Sequence, residues 1–324
     1  MESPFWPSFT KLWHVEPYPS ISPTRPELSA AGKTVVVTGG ATGIGLSITR
    51  AFAAAGCTRI AILARREDKL LAAKALIEKE FPGVQVLALV TDIANEKQVD
   101  ASFAKIAEVF DDSSSNGASV NGSANGRGKG KIDVLVANSG FFPTPGGILD
   151  PKTDLADWWR GFETNVLGLI HVSRAFLRHS KPLIAGERGG PRIINISTGI
   201  ATIPPMQQGI SAYAGSKAAG GKVFDYIAME NPGLKVFNLH PGIVTTDMSR
   251  KSGRDGSDHI DLPGHFCVWL ASPEADFLSG KWQWVNWDVD ELKAREKEIT
   301  STPLLTTMLD GMSFHDFKGD FSSI

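Results

Sequence analysis

Apolar residues in this chain form short unbroken runs that alternate with longer stretches in which they recur every three or four positions. Lys33-Thr34-Val35-Val36-Val37-Thr38 is such a run, β-branched and ending at glycine, the pattern of a strand buried on both faces. After it, Leu46, Ile48, Ala51, Phe52 and Ala55 fall on one helical face, and Gly56 supplies a stop. Arg59 to Leu63 then predicts a second strand, Glu67 to Glu80 a helix, Val86 to Val90 a third strand and Val134 to Ala137 a fourth. Trp158 to Phe176 predicts a helical stretch, and Arg192 to Ile196 a further strand. Phe266, Cys267, Trp269 and Leu270 resume a helical face, and Trp282, Trp284 and Trp287 alternate with Gln283, Val285 and Asn286 as a last strand would. The chain has 324 residues, 42% of them hydrophobic, with no break in composition midway. These alternating signals predict one α/β domain, a doubly wound parallel sheet with helices on both faces, over residues 32–324.

Three segments depart from the alternation. Residues 1–31 mix Phe5, Trp6, Phe9 and Trp13 with six prolines and lack the long apolar run of a membrane span or signal peptide. They read as an extended arm that covers the domain's own edge or reaches a second subunit. Residues 112–131 hold almost no apolar side chains and many Gly, Ser and Asn, so they read as a mobile low-complexity insertion without a catalytic role. Residues 247–265 begin polar and glycine-bearing, suited to a loop that closes over a substrate.

Two motifs carry chemistry. The first strand runs into Gly39-Gly40-Ala41-Thr42-Gly43-Ile44-Gly45 and straight on into a helix. Glycines let a backbone approach a pyrophosphate closely, and the free NH groups at a helix start favour an anion. Far downstream, Tyr213-Ala214-Gly215-Ser216-Lys217 places a phenol and an ammonium four residues apart, on one face if helical. A cation near a phenol lowers its pKa and would make it a usable acid or base near neutral pH.

With the spacing Thr38-Gly39-x-x-x-Gly43-x-Gly45 followed by Tyr213-x-x-x-Lys217, residues 32 to 290 closely resemble the classical short-chain dehydrogenase/reductase family. The resemblance implies a Rossmann-type sheet of order 3-2-1-4-5-6-7. It implies cofactor contacts at Gly39, Thr42, Gly43, Ile44 and Gly45, at Asp92 after the third strand, and at Asn138 and Gly140 of Asn138-Ser139-Gly140. It adds Val244 and Thr246 of Pro241-Gly242-Ile243-Val244-Thr245-Thr246, and Tyr213 and Lys217 themselves. It also implies four catalytic roles: Tyr213 as acid/base, Lys217 tuning it and holding the nicotinamide ribose, Asn165 holding a relay water, and a hydroxyl orienting the substrate oxygen. The family commonly has two serines at Ser197-Thr198. Register puts Thr198 at the catalytic position, with Ser197 as its substitute. The tail around Trp284-Val285-Asn286-Trp287-Asp288 resembles that of fungal reductases of secondary metabolism.

Charge bears on the cofactor. About 20 residues past the glycine turn, where an NAD site needs a carboxylate, the chain has Arg65-Arg66. A guanidinium grips a 2′-phosphate well, so NADP(H) is preferred and NAD(H) possible, with Arg65 the principal contact. One of the two arginines is expected to pair with Glu67 or Asp68. A formal net charge of -2 gives no case for nucleic acid or an anionic membrane, and the seven histidines show no metal-ligand spacing. Cys57 and Cys267 read as small buried hydrophobes. The expected protein is a cytoplasmic NADP(H)-dependent oxidoreductase, a homo-oligomer interconverting a ketone and a secondary alcohol, in the manner of polyketide or terpenoid metabolism. A non-redox enzyme on the same fold and a dinucleotide-sensing binding protein remain the alternatives.

Overall fold

A computed structural model describes residues 8–111, 131–251 and 255–309. Most of the 112–131 insertion and part of the 247–265 segment therefore lie outside the described residues. Seven strands form one parallel sheet in the order β3-β2-β1-β4-β5-β6-β7. They are β1 (Thr34–Thr38), β2 (Arg59–Ala64), β3 (Gln85–Val90), β4 (Val134–Ala137), β5 (Arg192–Ile196), β6 (Lys235–His240) and β7 (Lys281–Trp284). β1, β4 and β5 are buried along their whole length, which is why they read as unbroken apolar runs rather than alternating ones. The chain winds outward through β2 and β3, then returns to place β4 beside β1. That reversal opens a crevice at the carboxyl ends of the strands, where ligands of such sheets bind.

Two cores flank the sheet. Val35, Val37, Ile60, Ile62, Phe237 and Leu239 join α1 (Gly43–Ala54), α2 (Glu67–Glu80) and α8 (Leu262–Leu270) on one face. Val36, Leu135, Ile193 and Val236 join α3 (Glu96–Val109), α5 (Gly168–His179) and α6 (Ser211–Glu230) on the other. Cys57 and Cys267 are free thiols, both fully buried.

The structure differs from the sequence reading at several joints. The helical stretch from Trp158 onward is interrupted: α4 (Leu155–Phe162) leads into a π-helical turn at Glu163–Leu167 before α5 begins. Asn165 sits in that turn with its side chain drawn to the Phe141 backbone, a local cause for widening the helix. β7 ends at Trp284 because the chain turns through Trp287, and Asp288 then caps α9 (Val289–Ala294) by accepting from Asp290 N and Glu291 N. A short α7 (Asp247–Lys251) follows Thr246, whose hydroxyl and that of Ser249 cap each other's amides. A further short helix, α10 (Glu296–Ser301), follows α9.

Residues 8–31 lie against the domain's own β7 side. Trp13 forms an antiparallel bridge with Trp287, His14 N donates to Asn286 O at 2.8 Å, and Arg25 pairs with Glu274 at 2.8 Å. Ile21 and Leu28 are fully buried in the core. The segment thus packs on the chain just past β7, while the outer edge of β7 itself is met by Leu305, whose carbonyl accepts from Trp282 N at 2.8 Å.

Candidate active site

β5 ends in Ser197-Thr198, and α6 begins thirteen residues past Thr198, at Ser211. The two elements meet at the cavity wall, where the Thr198 hydroxyl stands near enough to the Tyr213 phenol to lower its pKa. The ring of Phe142 packs 4.7 Å from the Tyr213 ring, tilted by 52°. Lys217, one helical turn on, is buried and donates its Nζ to Ile196 O at 2.8 Å. That bond draws the lysine to the end of β5, between the sheet and α6.

Burial controls both titrations. The Tyr213 phenol is pushed up to about 12 by desolvation, and the Thr198 hydroxyl pulls it back only in part. The Lys217 ammonium is pushed down to about 8 by the same cause. The lowering of the phenol by Lys217 expected from the spacing is not found in this structure, where desolvation is the main cause of both shifts. Ser197 makes no such contact with Tyr213, and its buried Oγ has no hydrogen-bond partner among the described residues. Thr198 is the hydroxyl that the fold brings to the phenol.

Asn165 is fully buried and its amide is taken up. Its Oδ1 accepts from Phe141 N at 2.8 Å, and its Nδ2 donates to Phe141 O at 2.8 Å and to Ser216 Oγ at 3.0 Å. The side chain positions the β4 loop against α6, and its Oδ1 keeps one lone pair beyond the Phe141 N–H.

The glycine turn lies on the other side of the crevice. Gly43 opens α1 with φ 53°, and a Cβ there would stand 3.3 Å from Thr246 Cγ2. A Cβ on Gly45 would collide with the Gly39 carbonyl, so the turn can close against the helix only with glycine there. Thr42, at the N-cap, makes no side-chain cap hydrogen bond, which leaves the first amides of α1 without a side-chain partner. Asn138 ties the turn to the sheet, its N donating to Thr38 Oγ1 at 3.0 Å and its Nδ2 to Thr38 O at 2.9 Å. A Cβ on Gly140 would stand 3.4 Å from both Asn165 Oδ1 and Lys217 Nζ. Asp92 holds its own turn, accepting from Ala94 N at 3.0 Å. Arg65 and Arg66 are exposed at the end of β2. Among the described residues neither pairs with an acid; Asp68 instead meets Lys69 at 3.7 Å, so both guanidinium groups remain open to an anion.

Between the two sides lies a cavity of about 180 Å³. Ile44, Val244 and Thr246 line it from the glycine side, and Ser197, Thr198 and Tyr213 from the other. Phe142, Ile200, Ile203, Ile210, Met248 and Trp284 make most of its wall apolar. Its floor includes His240, a residue the sequence reading passed over although it directly precedes Pro241-Gly242. Asp258 was also missed: its carboxylate accepts from Ile243 N at 2.6 Å and from Asn286 Nδ2 at 3.1 Å, fixing the wall strand to the end of β7. No spacing in the chain points to it, since its partners lie 15 and 28 residues away. Among the described residues no group of His, Cys, Asp and Glu forms a metal site, and no helix is long and apolar enough to cross a membrane.

The glycine turn, the sheet order and the Thr198, Tyr213 and Lys217 cluster are those of a dinucleotide-binding oxidoreductase fold. A sequence model of the short chain dehydrogenase family matches residues 33–256. The chain is 33% identical over 301 residues to a short chain dehydrogenase/reductase of Claviceps purpurea, covering 90% of this chain and 91% of that one. It is 33% identical over 296 residues to another of Aspergillus aculeatus, covering 90% and 92%. A Burkholderia cenocepacia short chain dehydrogenase, solved in complex with NADP, superposes with TM-score 0.64 at 27% identity, over 80% of this chain and 98% of that one. The chain belongs to the short-chain dehydrogenase/reductase family.

Proposed function

We propose that this protein is an NADP(H)-dependent oxidoreductase that interconverts a ketone and a secondary alcohol. The observation that carries the reading is the placement of Thr198 and Tyr213 together on the wall of an apolar cavity that also takes in Ile44 of the glycine turn. Gly39, Thr42, Gly43, Ile44 and Gly45 would receive the pyrophosphate side of the cofactor, with Asp92, Asn138 and Gly140 along its adenosine half and Val244 and Thr246 at its nicotinamide end. The unpaired Arg65, with Arg66 beside it, supports the 2′-phosphate form; NAD(H) would lack that contact. When bound, the cofactor supplies or accepts the hydride.

The chain's own groups manage the oxygen and its proton. In reduction Tyr213 donates its phenolic proton to the substrate oxygen, and Thr198 accepts or donates to hold that oxygen in line. A phenol held up to about 12 stays protonated at neutral pH, which suits the reducing direction; a substrate oxygen and a bound cofactor would have to pull it down for the reverse. Lys217 holds the nicotinamide ribose while its ammonium stays anchored to Ile196 O. Asn165 fixes the Phe141 backbone, and the remaining lone pair of its Oδ1 is where it would accept from a relay water.

The fungal relatives and the apolar cavity support a bulky substrate such as those of polyketide or terpenoid metabolism. Exposed Leu155, Trp159, Leu167, Tyr226 and Met229 on the α4–α6 side support a homo-oligomer, and the protein is assigned to the cytoplasm. The test is oxidation of NADPH against NADH with a panel of small and bulky ketones, beside calorimetric titration of both cofactors. NADPH consumption is expected. Tight NADPH binding without turnover on any ketone would overturn the reductase in favour of a non-redox or sensing role.

A further inference from the structure

Two polar groups in the cavity take no part in the chemistry assigned above. The pairing Ile196↔Leu239 sets Ser197 beside His240, and His240 is in turn paired with Trp284. The three therefore stand side by side across the carboxyl ends of β5, β6 and β7, and paired residues of parallel strands point to the same face of the sheet. The His240 ring meets Trp284 edge-on at 4.5 Å, and a Cβ on Gly199 would stand 2.8 Å from the Trp284 ring and 3.4 Å from His240 Cδ2. Glycine at 199 thus gives both rings room at the cavity. His240 is 8% exposed and Ser197 3%. Among the described residues neither His240 Nδ1 nor Ser197 Oγ has a hydrogen-bond partner, although buried polar groups are nearly always paired. Both residues line the cavity.

The surroundings define what would satisfy them. Among the described residues no Lys, Arg, Asp or Glu lines the cavity, so none of them compensates a charged substituent. Burial holds His240 down to about 3, which keeps the imidazole neutral at working pH, with one ring nitrogen able to accept and the other to donate. The serine hydroxyl does both. A hydroxyl on the ligand is the uncharged group that can answer either in both senses, and the rings of Phe142 and Trp284 with Ile200, Ile203 and Ile210 suit a flat apolar body around it.

We infer that the substrate is an uncharged apolar ketone bearing a hydroxyl besides the reacting carbonyl, and that His240 and Ser197 form the subsite that recognises this hydroxyl. The inference rests on the ketone-reductase reading for the word ketone, but the subsite can be tested without turnover.

The probes are 1-tetralone and its 5-, 6-, 7- and 8-hydroxy derivatives, titrated calorimetrically into the full chain saturated with NADP+ and assayed in parallel for NADPH oxidation. At least one hydroxylated ketone should bind about 10-fold more tightly than 1-tetralone, the size of one neutral hydrogen bond. In His240→Phe that ratio should fall to about 1, and in His240→Gln, which keeps a polar group, it should recover in part. Unchanged NADP+ affinity and a cooperative melt show that the variants are folded, and Ser197→Ala serves as a second route if His240→Phe is not. A hydroxyl preference in binding that depends on His240, without NADPH oxidation, would keep the subsite and sink the reductase. No preference in the wild type, a preference untouched by His240→Phe and Ser197→Ala, or no binding by any member of the set would overturn the subsite.

Discussion

The two sides of the crevice are built by different means. On the β1–α1 side the surface is mainly backbone: a turn held by Gly39, Gly43 and Gly45, with no cap from the Thr42 side chain on the helix and Asn138 fastening it to Thr38. On the β5–β7 side the surface is side chains, namely Thr198, Tyr213, His240 and Trp284, and they are set by contacts from far along the chain. Trp13 packs edge-on to Trp284 at 6.0 Å, His14 O accepts from Asn286 Nδ2 at 2.8 Å, and Asn286 in turn holds Asp258. A backbone site suits a ligand that never changes, because its shape depends on a few glycines. A side-chain site can be altered one residue at a time, and the proposed function therefore puts substrate choice there.

The largest effect is expected on the side-chain half. Tyr213→Phe removes the proton donor and should cut turnover by roughly 100-fold or more, while calorimetry finds NADPH affinity close to wild type; equal losses of both would erase the distinction between the halves. Gly45→Ala should do the reverse. Its Cβ would meet the Gly39 carbonyl, and displacing the turn by about 1 Å should weaken NADPH binding by on the order of 100-fold.

Trp13→Ala tests whether residues 8–31 are part of the substrate wall. Trp13 is buried, and emptying its site should cost about 3 kcal/mol in urea unfolding. It should also raise KM for bulky ketones more than for small ones. An arm that only covers the edge would lower stability and leave KM alone. Arg65→Asp should shift the NADPH over NADH preference by about 10-fold or more, the worth of a charge-assisted hydrogen bond; an unmoved preference would pass the phosphate to Arg66.

The smallest effect concerns pH. Burial holds His240 at about 3 against an ordinary 6.5, so between those values the unfolded chain binds more protons than the folded one. The stability His240 confers is complete above about 6.5 and declines as pH falls toward 3. Denaturant titrations of His240→Gln should show a shallower loss over that window; parallel curves would place the imidazole in water.

The same contrast explains what was legible in the sequence. The strands, the glycine turn and the Tyr213–Lys217 pair could be read because each is written in residues that lie close together or follow a fixed period, and the sheet order came with the family resemblance that these motifs carry. The π-helical turn at Glu163–Leu167 could not, since it arises from an Asn165 side chain reaching a backbone 24 residues away. His240 and Ser197 were invisible as a pair because their meeting depends on strand register. Asp258 was invisible because it joins loops that only the closed fold brings together. The raised pKa of Tyr213 lies outside the sequence for a related reason: spacing shows the cation but not the burial that pushes the phenol up.

The account rests on reduction driven by Tyr213 at the seam between the two halves. Wild-type protein and Tyr213→Phe would be given a bulky hydroxy ketone with NADPH deuterated at both positions of nicotinamide C4, and the product analysed by mass spectrometry. The account predicts an alcohol carrying one deuterium on the carbinol carbon from the wild type, formed roughly 100-fold more slowly by the variant. A product without deuterium, or equal rates from both proteins, would contradict it.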